Sequence, residues 1–515
     1  MRQSATYRRQ LVPVLCAVAL SMLAWRSARA ETRPGYGGTI IGGLLGEPVH
    51  LDPVRAHSHT DVAVVTLLFD TLYRVAGKAP DGDLRVVPHV AAALPVVSDN
   101  GTVARIAVRT DIVFHDKKSL RAEDVKRSLE RLRKQPAAGY LLAPVKSIAR
   151  EGDELVVRLY RPTPELALLL TAPASSITPR GRAPTWRRAI GSGPFKLSRR
   201  DPASRRLRLS VHNRYFAGRP YVNALDLRWH ERADDEATAY ESGRSHYSLR
   251  DAVAYQGHTP KYRTNEAMGP ATILSYVGFG SAGSHSAIVE NKDFRQALSL
   301  AIERGGFRGI GSGERVSPTV HPVAAAVGGP SAGDRQRRAR LREAGTALSR
   351  AARSVRALRA PPNGGPRSFE LELIVDRTRL DDQDIAAKVV AALFQLGVRA
   401  HITSLEAAEF AERVQRGSCD LYIGQLAMPG ALSQLTLAAA FAVGGDRWSL
   451  DTLRKGPLDR VRAGRIFTER LPVVPLFHRA LRVHHRENVR GIHFDDTSRL
   501  YLDDVFFHGK VRRSK

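Results

Sequence analysis

Sulfur is scarce in this chain: 515 residues hold two cysteines, Cys16 and Cys419. Cys16 lies in an N-terminal stretch that reads as removable, so one thiol would remain. Neither an intramolecular disulfide nor a cysteine cluster for zinc could then form. Lysine is scarce too. Of 79 basic residues 13 are Lys and 66 are Arg, set against 51 acids, for a formal charge of +28. An arginine bias of this kind beside abundant alanine reflects a GC-rich genome as readily as a polyanionic partner, so charge alone does not argue for nucleic acid. Two chemical signatures are absent as well, the G-x-x-x-x-G-K-[ST] loop that cradles phosphate and the H-E-x-x-H zinc helix. What is present is ordinary globular composition, 43% hydrophobic and 25% charged. The length accommodates about two to four domains.

The N-terminal apolar run is too short to cross a bilayer. Arg2, Arg8 and Arg9 precede Leu11–Trp25, and Ala28-Arg29-Ala30 follows. A membrane helix needs about 20 apolar residues, so the basic start, short run and A-x-A end read as a signal peptide over residues 1–30, cleaved before Glu31. Arg8-Arg9 leaves twin-arginine export open beside the general route. Cleavage removes five Arg and no acid, which takes the charge from +28 to +23. The expected location is periplasmic, and this sets aside partners such as ATP and DNA.

Periodicity along the chain indicates mixed α/β lobes without a repeat. Strands are expected at 37–45, 102–109, 154–160, 207–211, 224–229, 369–375, 473–477 and 500–506. A glycine-proline turn, GSGPF, should precede another. Helices are expected at 61–73 behind Thr60 as N-cap, and at 121–133, 164–170, 294–303 and 384–396. Between two Pro/Gly-rich stretches, Asp334–Arg359 places Leu341, Ala344, Leu348, Ala351, Val355 and Leu358 at helical spacing. That segment reads as an amphipathic helix with an arginine face, either a solvated surface or a contact for anionic headgroups.

Few residues group in a way that carries chemistry. His57 with His59 and His484 with His485 are the nearest approaches to a metal pair. Adjacent histidines on a strand point to opposite faces, so the second pair cannot easily share an ion. The acidic pairs Asp234-Asp235 and Asp381-Asp382 read as solvated turns.

A series of short matches, in order, resembles the extracytoplasmic solute-binding proteins of family 5, the oligopeptide, dipeptide and nickel type. It begins with a strand followed by Glu47-Pro48 and Leu51-Asp52-Pro53, then Leu67–Arg74 (LLFDTLYR). Val108–Asp116 with Leu120–Leu132 looks like the family segment R-x-D-I-x-F-H-D-G-x-x-L-x-A-E-D-V. Gly191–Phe195, Asn213–Phe216, Phe294–Arg304, Leu341–Gly345, Pro472–Leu476, Val489–Gly491 and the final YLDDVFF follow. The resemblance implies an α/β fold of two lobes joined by hinge strands, the type II periplasmic-binding-protein fold in its three-subdomain form. It implies a lobe I core of 31–50, 190–270 and 480–515, an extra subdomain at 51–189, and lobe II at 271–479. Such a chain, a monomer without cofactor or metal and with no catalytic residue, would deliver a peptide or peptide-like solute to an ABC permease and its ATPase. Two other readings stay open: an orphan extracytoplasmic sensor or chaperone on the same scaffold, and an exported hydrolase.

The resemblance also implies where ligand contacts fall. Glu47 would lie on the first lining stretch, Tyr422, Gln425 and Met428 on the facing lobe, and His478 near the returning hinge strand. Each has a plainer alternative: a lobe salt bridge for Glu47, core packing for Tyr422 and Met428, structural hydrogen bonding for Gln425 and His478. Two positions depart from the family pattern. Lys117 stands where glycine is usual in a turn. Gly424–Gly430 (GQLAMPG) lacks the Trp and the acid that peptide binders tend to carry there, an acid that pairs with the ligand's α-ammonium. Free-amino peptides would then bind poorly unless another acid, such as Asp420 or Glu47, takes that role.

Overall fold

The computed structural model describes residues 35–508 except 79–83, 137, 231–232, 250–263, 311–315, 334–337, 361–366, 380, 431, 433–434 and 447–459. Residues 1–30, expected to form a signal peptide, lie outside the described residues, as do the Pro361–Pro366 stretch and the start of the basic segment. No described helix is long and apolar enough to cross a membrane.

Three sheets organise the chain. The largest runs, edge to edge, Thr264–Met268, Arg482–Arg486, Tyr247–Ser248, Thr39–Gly43, Ala224–Arg228, Arg206–Val211 and Phe195–Asp201. Its first strand pairs in parallel with Ala224–Arg228, Thr39 opposite Ala224 and Gly43 opposite Arg228. Only glycine suits Gly42, because a β-carbon there would overlap the ring of Tyr247 on the next strand. The second sheet has six strands in the order Val316–Pro318, Val474–Arg479, Ile273–Phe279, Leu421–Leu426, Glu370–Asp376 and Arg399–Leu405. The third, of four antiparallel strands, lies within residues 96–159. The chain leaves the first sheet at residue 268, enters the second at 273, and returns from 479 to 482, so two short connections join them.

Each sheet has its own apolar packing, with one exception that matters for the site. Ile40, Leu207, Leu225 and Phe195 pack under the first sheet, and Leu371, Phe294, Ala347 and Phe477 under one face of the second. The other face of the second sheet, with Tyr276, Ile374 and Tyr422, belongs to the same buried cluster as the four-stranded unit. The helix Ala122–Lys134 shows why its segment folds as it does. Ala122, Val125, Leu129 and Leu132 recur at three- and four-residue steps and are buried, while Asp124 accepts the Arg121 amide at 2.9 Å to cap the start.

Several expected bounds are corrected. The helix expected at 61–73 is His59–Leu68, and its N-cap is Ser58, whose hydroxyl accepts the Asp61 amide, rather than Thr60. It stops early because the GSGPF turn takes its last carbonyl: Gly193 N donates to Leu68 O at 3.0 Å. Tyr73 then starts a strand paired with Leu84–Pro88. The 164–170 helix shrinks to Leu166–Leu169. The 500–506 strand splits into Leu500–Tyr501 and Phe506–Phe507, each paired to a different hairpin partner. The basic helix covers Leu341–Ser354, with Ala344, Leu348 and Ala351 inward but Leu341 exposed. Lys117 has φ of +69°, the left-handed region where glycine is at ease, which explains the glycine usual at that turn.

Candidate functional site

A cleft of about 1380 Å³ opens between the first and second sheets. One wall is the loop after Thr39–Gly43 together with the start of the His59–Leu68 helix, contributing Glu47, His50, His57 and Asp61. The other is the second sheet with the helix Ala407–Arg416, contributing Tyr276, Arg379, Phe410, Tyr422 and Gln425. Polar contacts cross between the walls: Glu47 N donates to Thr378 Oγ1 at 3.2 Å and Ala427 N to His57 O at 2.9 Å. Arg55 reaches Gln415 from the opposite side.

The floor is built by interlocked tyrosines and glycines. Tyr276 lies opposite Gly424, and Tyr422 opposite Gly278, on adjacent strands. A β-carbon at either glycine would overlap the facing ring. The two rings meet edge to face with centroids 6.0 Å apart, at an angle of 78°.

Charged groups in the cleft are mostly buried and paired. Burial raises the Glu47 carboxyl above its ordinary range, with Asp376 and Glu406 adding to this and Arg200 opposing it. Arg200, which binds Glu47, also stacks 4.4 Å over Trp186. Asp61 accepts the amides of Val49 at 2.8 Å and His50 at 3.0 Å. Arg379 faces Asp376 at 3.3 Å and Asp382 at 3.7 Å, and its guanidinium lies 5.4 Å from the Phe410 ring centroid. Burial pushes Asp382 up to about 7 against the pull of Arg379.

The expected contacts fall in three places. Glu47, Tyr422 and Gln425 line the cleft. Tyr422 donates to Val443 O at 3.3 Å and Gln425 Nε2 to Asp382 Oδ1 at 3.3 Å. Met428 is buried on the wall of a second cavity of about 260 Å³ that shares no lining residue with the cleft. His478 lines neither cavity; it is buried with Nε2 2.8 Å from Pro322 O. Neither proposed substitute acid stands unengaged. Glu47 is held by Arg200, and Asp420 accepts the His285 amide at 2.8 Å and the Glu372 amide at 3.0 Å away from both cavities.

Sequence reasoning missed Tyr276, Arg379, His50 and Asp61. Tyr276 sits in an apolar strand that reads as core, and Asp61 in a helix start that reads as a first-turn acid. Burial pushes both His57 and His59 down to about 4, so they are neutral imidazoles at pH 7. Among the described residues no group of three or more His, Cys, Asp or Glu could hold a metal ion. Gly329–Gly333 (GPSAG) has the spacing of a nucleophile elbow, but it follows the 3-10 turn Ala325–Val327 rather than a strand.

A wide, polar-rimmed cleft between two sheets joined by short connections defines a two-lobed binding protein. Comparison with known proteins makes this specific. Residues 85–435 match the family described as Bacterial extracellular solute-binding proteins, family 5 Middle, and the chain belongs to that family. It is 24% identical over 88% of its length to the Di/tripeptide-binding protein 2 of Pseudomonas aeruginosa, covering 93% of that protein. It is 23% identical to the oligopeptide-binding protein AppA of Bacillus subtilis, but that match spans only 57% of this chain and 56% of AppA. In structure, AppA in complex with a nonapeptide superposes with a TM-score of 0.77 at 18% identity, covering 93% of this chain and 100% of that one. The nickel-binding protein NikA of Staphylococcus aureus does so with a TM-score of 0.70 at 15% identity, covering 91% of this chain and 100% of that one.

Proposed function

We propose that this protein is an extracytoplasmic receptor that binds a peptide or peptide-like solute in the cleft and presents it to an ABC permease. The observation that carries the reading is the 1380 Å³ cleft, lined on one side by the loop and helix start after Thr39–Gly43 and on the other by the second sheet, and crossed by contacts between these walls. That volume exceeds the ~300–1,000 Å³ of ordinary small-molecule sites and suits an extended ligand. Relatives whose names specify oligopeptides and di- or tripeptides support the solute class.

The proposal includes the division into a lobe I core of 31–50, 190–270 and 480–515, an extra subdomain at 51–189 and lobe II at 271–479. It also includes export with removal of residues 1–30 and action as a monomer. Glu47, Tyr422 and Gln425 are proposed as ligand contacts in the cleft, Tyr422 also bracing its floor.

Protein purified from its own host and denatured for mass spectrometry is expected to release a bound peptide-like mass at near one per chain. A bound nickel chelate, or protein that is empty and rejects peptide mixtures, contradicts the reading.

A further inference from the structure

The helix Leu341–Ser354 packs against Lys292–Ala301 on the face of the second sheet opposite Tyr276 and Tyr422, and none of its residues lines the cleft. Its buried side is Ala344, Ala347, Leu348 and Ala351. At about 100° of turn per residue, Arg342, Thr346, Ser349 and Arg353 fall in one narrow stripe on the other side, and all four are exposed. The two hydroxyls are used within the helix, Thr346 on the Arg342 carbonyl at 3.1 Å and Ser349 on the Gly345 carbonyl at 2.9 Å. Short side chains between long ones leave the two guanidinium groups as a ridge, about 16 Å apart along the axis.

No acid balances the ridge. The helix holds one carboxylate, Glu343, which Arg340 binds at 2.9 Å, and Asp293 on the helix beneath is bound by Arg350 at 2.9 Å. Arg342, Arg353 and the exposed Arg356, in the 3-10 turn Arg356–Leu358 that follows, have no partner among the described residues. The helix dipole favours a cation near the C-terminus, which accounts for Arg353, and disfavours one in the first turn. Arg342 stands in that first turn, where no side chain caps the helix. Its charge gains nothing from the fold and is open to an anion outside the chain. Leu341, 45% exposed at the same end, adds apolar surface of the kind that enters the boundary between headgroups and acyl chains.

We propose that this ridge rests on anionic phospholipid at the membrane surface, with Arg342, Arg353 and Arg356 as its phosphate contacts and the cleft left open to solute. A guanidinium fork matches phosphate oxygens. A bilayer presents its phosphates as a flat array, which a straight, convex ridge of arginines meets at several points at once. The full mature protein is mixed with vesicles of phosphatidylcholine alone, or with about a quarter phosphatidylglycerol, at about 0.1 M salt, where charges more than ~10 Å apart are largely screened. Flotation should carry the protein with the anionic vesicles only. Arg342→Gln/Arg353→Gln/Arg356→Gln should lower partitioning by about 10-fold or more, since each arginine near an anionic surface contributes on the order of 1 kcal/mol. Arg182→Gln/Arg187→Gln/Arg188→Gln removes the same charge from exposed positions elsewhere and should lower it less than about 3-fold. All six side chains are exposed, so both variants should unfold at the parent's temperature. The ridge variant should also hold a mixed pool of di- to pentapeptides as tightly as the parent. Equal loss in the two variants overturns the proposal in favour of diffuse charge, and so does flotation with neutral vesicles or with neither kind. A parent that floats with anionic vesicles but rejects the peptide pool contradicts the solute-binding reading and leaves the ridge standing.

Discussion

Asp70→Asn is expected to lower the free energy of unfolding by about 3 kcal/mol at pH 7. Asp70 is fully buried and gathers four donors, one from its own neighbourhood and three from further along the chain: Arg74 at 3.2 Å, His89 at 2.8 Å, Ser192 at 2.9 Å and Tyr215 at 3.0 Å. Breaking a buried ionic contact by removing one partner costs about 3–5 kcal/mol, and the lower end applies because Asp503, 3.3 Å from Arg74, still offers partial compensation. Burial by itself raises the Asp70 carboxyl, but His89, Arg74 and Ser192 outweigh it and hold the group well below the usual carboxylate range. A depressed carboxylate contributes stability that is fully present above its unfolded value of about 4 and is lost as pH falls toward its folded one. Urea unfolding should therefore show a large gap between Asp70→Asn and the parent at pH 7 that narrows below about pH 4. A gap under about 0.5 kcal/mol at pH 7 would show that the site behaves like an ordinary surface position.

Gly424→Val is expected to weaken both binding and stability. The Tyr276 ring occupies the space any side chain at 424 would need, so the ring must swing toward the cleft and lose its edge contact with Tyr422. Overpacking of this kind costs about 1–3 kcal/mol in stability. Because Tyr276, Tyr422 and Gly424 all line the cleft, affinity for the peptide pool should fall at least 10-fold, about 1.4 kcal/mol. Calorimetry at a temperature where the variant remains folded checks this. Undiminished affinity would place the ligand away from this floor.

The fold and its family were legible because ordered short matches from Glu47 to the final YLDDVFF identify a scaffold that no single motif could. Local bounds were less so. In LLFDTLY the apolar pattern continues past the end of the helix, since Phe69, Leu72 and Tyr73 are buried whether the backbone is helical or extended. What ends the helix is Gly193, more than a hundred residues away, bonding the Leu68 carbonyl. Site residues divided the same way. Glu47, Tyr422 and Gln425 were placed by correspondence with the family and line the cleft, whereas Tyr276 and Arg379 become cleft residues only once the second sheet is assembled. Only Leu426 and Ala427 lie between Gln425 and Met428, yet the strand ends between them and the His57 carbonyl takes the Ala427 amide, and they line different cavities. Spacing alone carries no sign of that.

Solute is expected to be held in the cleft between the sheets. Hydrogen–deuterium exchange of the mature protein, with and without a saturating peptide pool, addresses it directly. Protection is expected in two stretches far apart in sequence, 47–61 and 407–425, with little change in the four-stranded unit at 96–159. Confirmed binding that leaves both stretches exchanging at their free rates would contradict the assignment of the cleft.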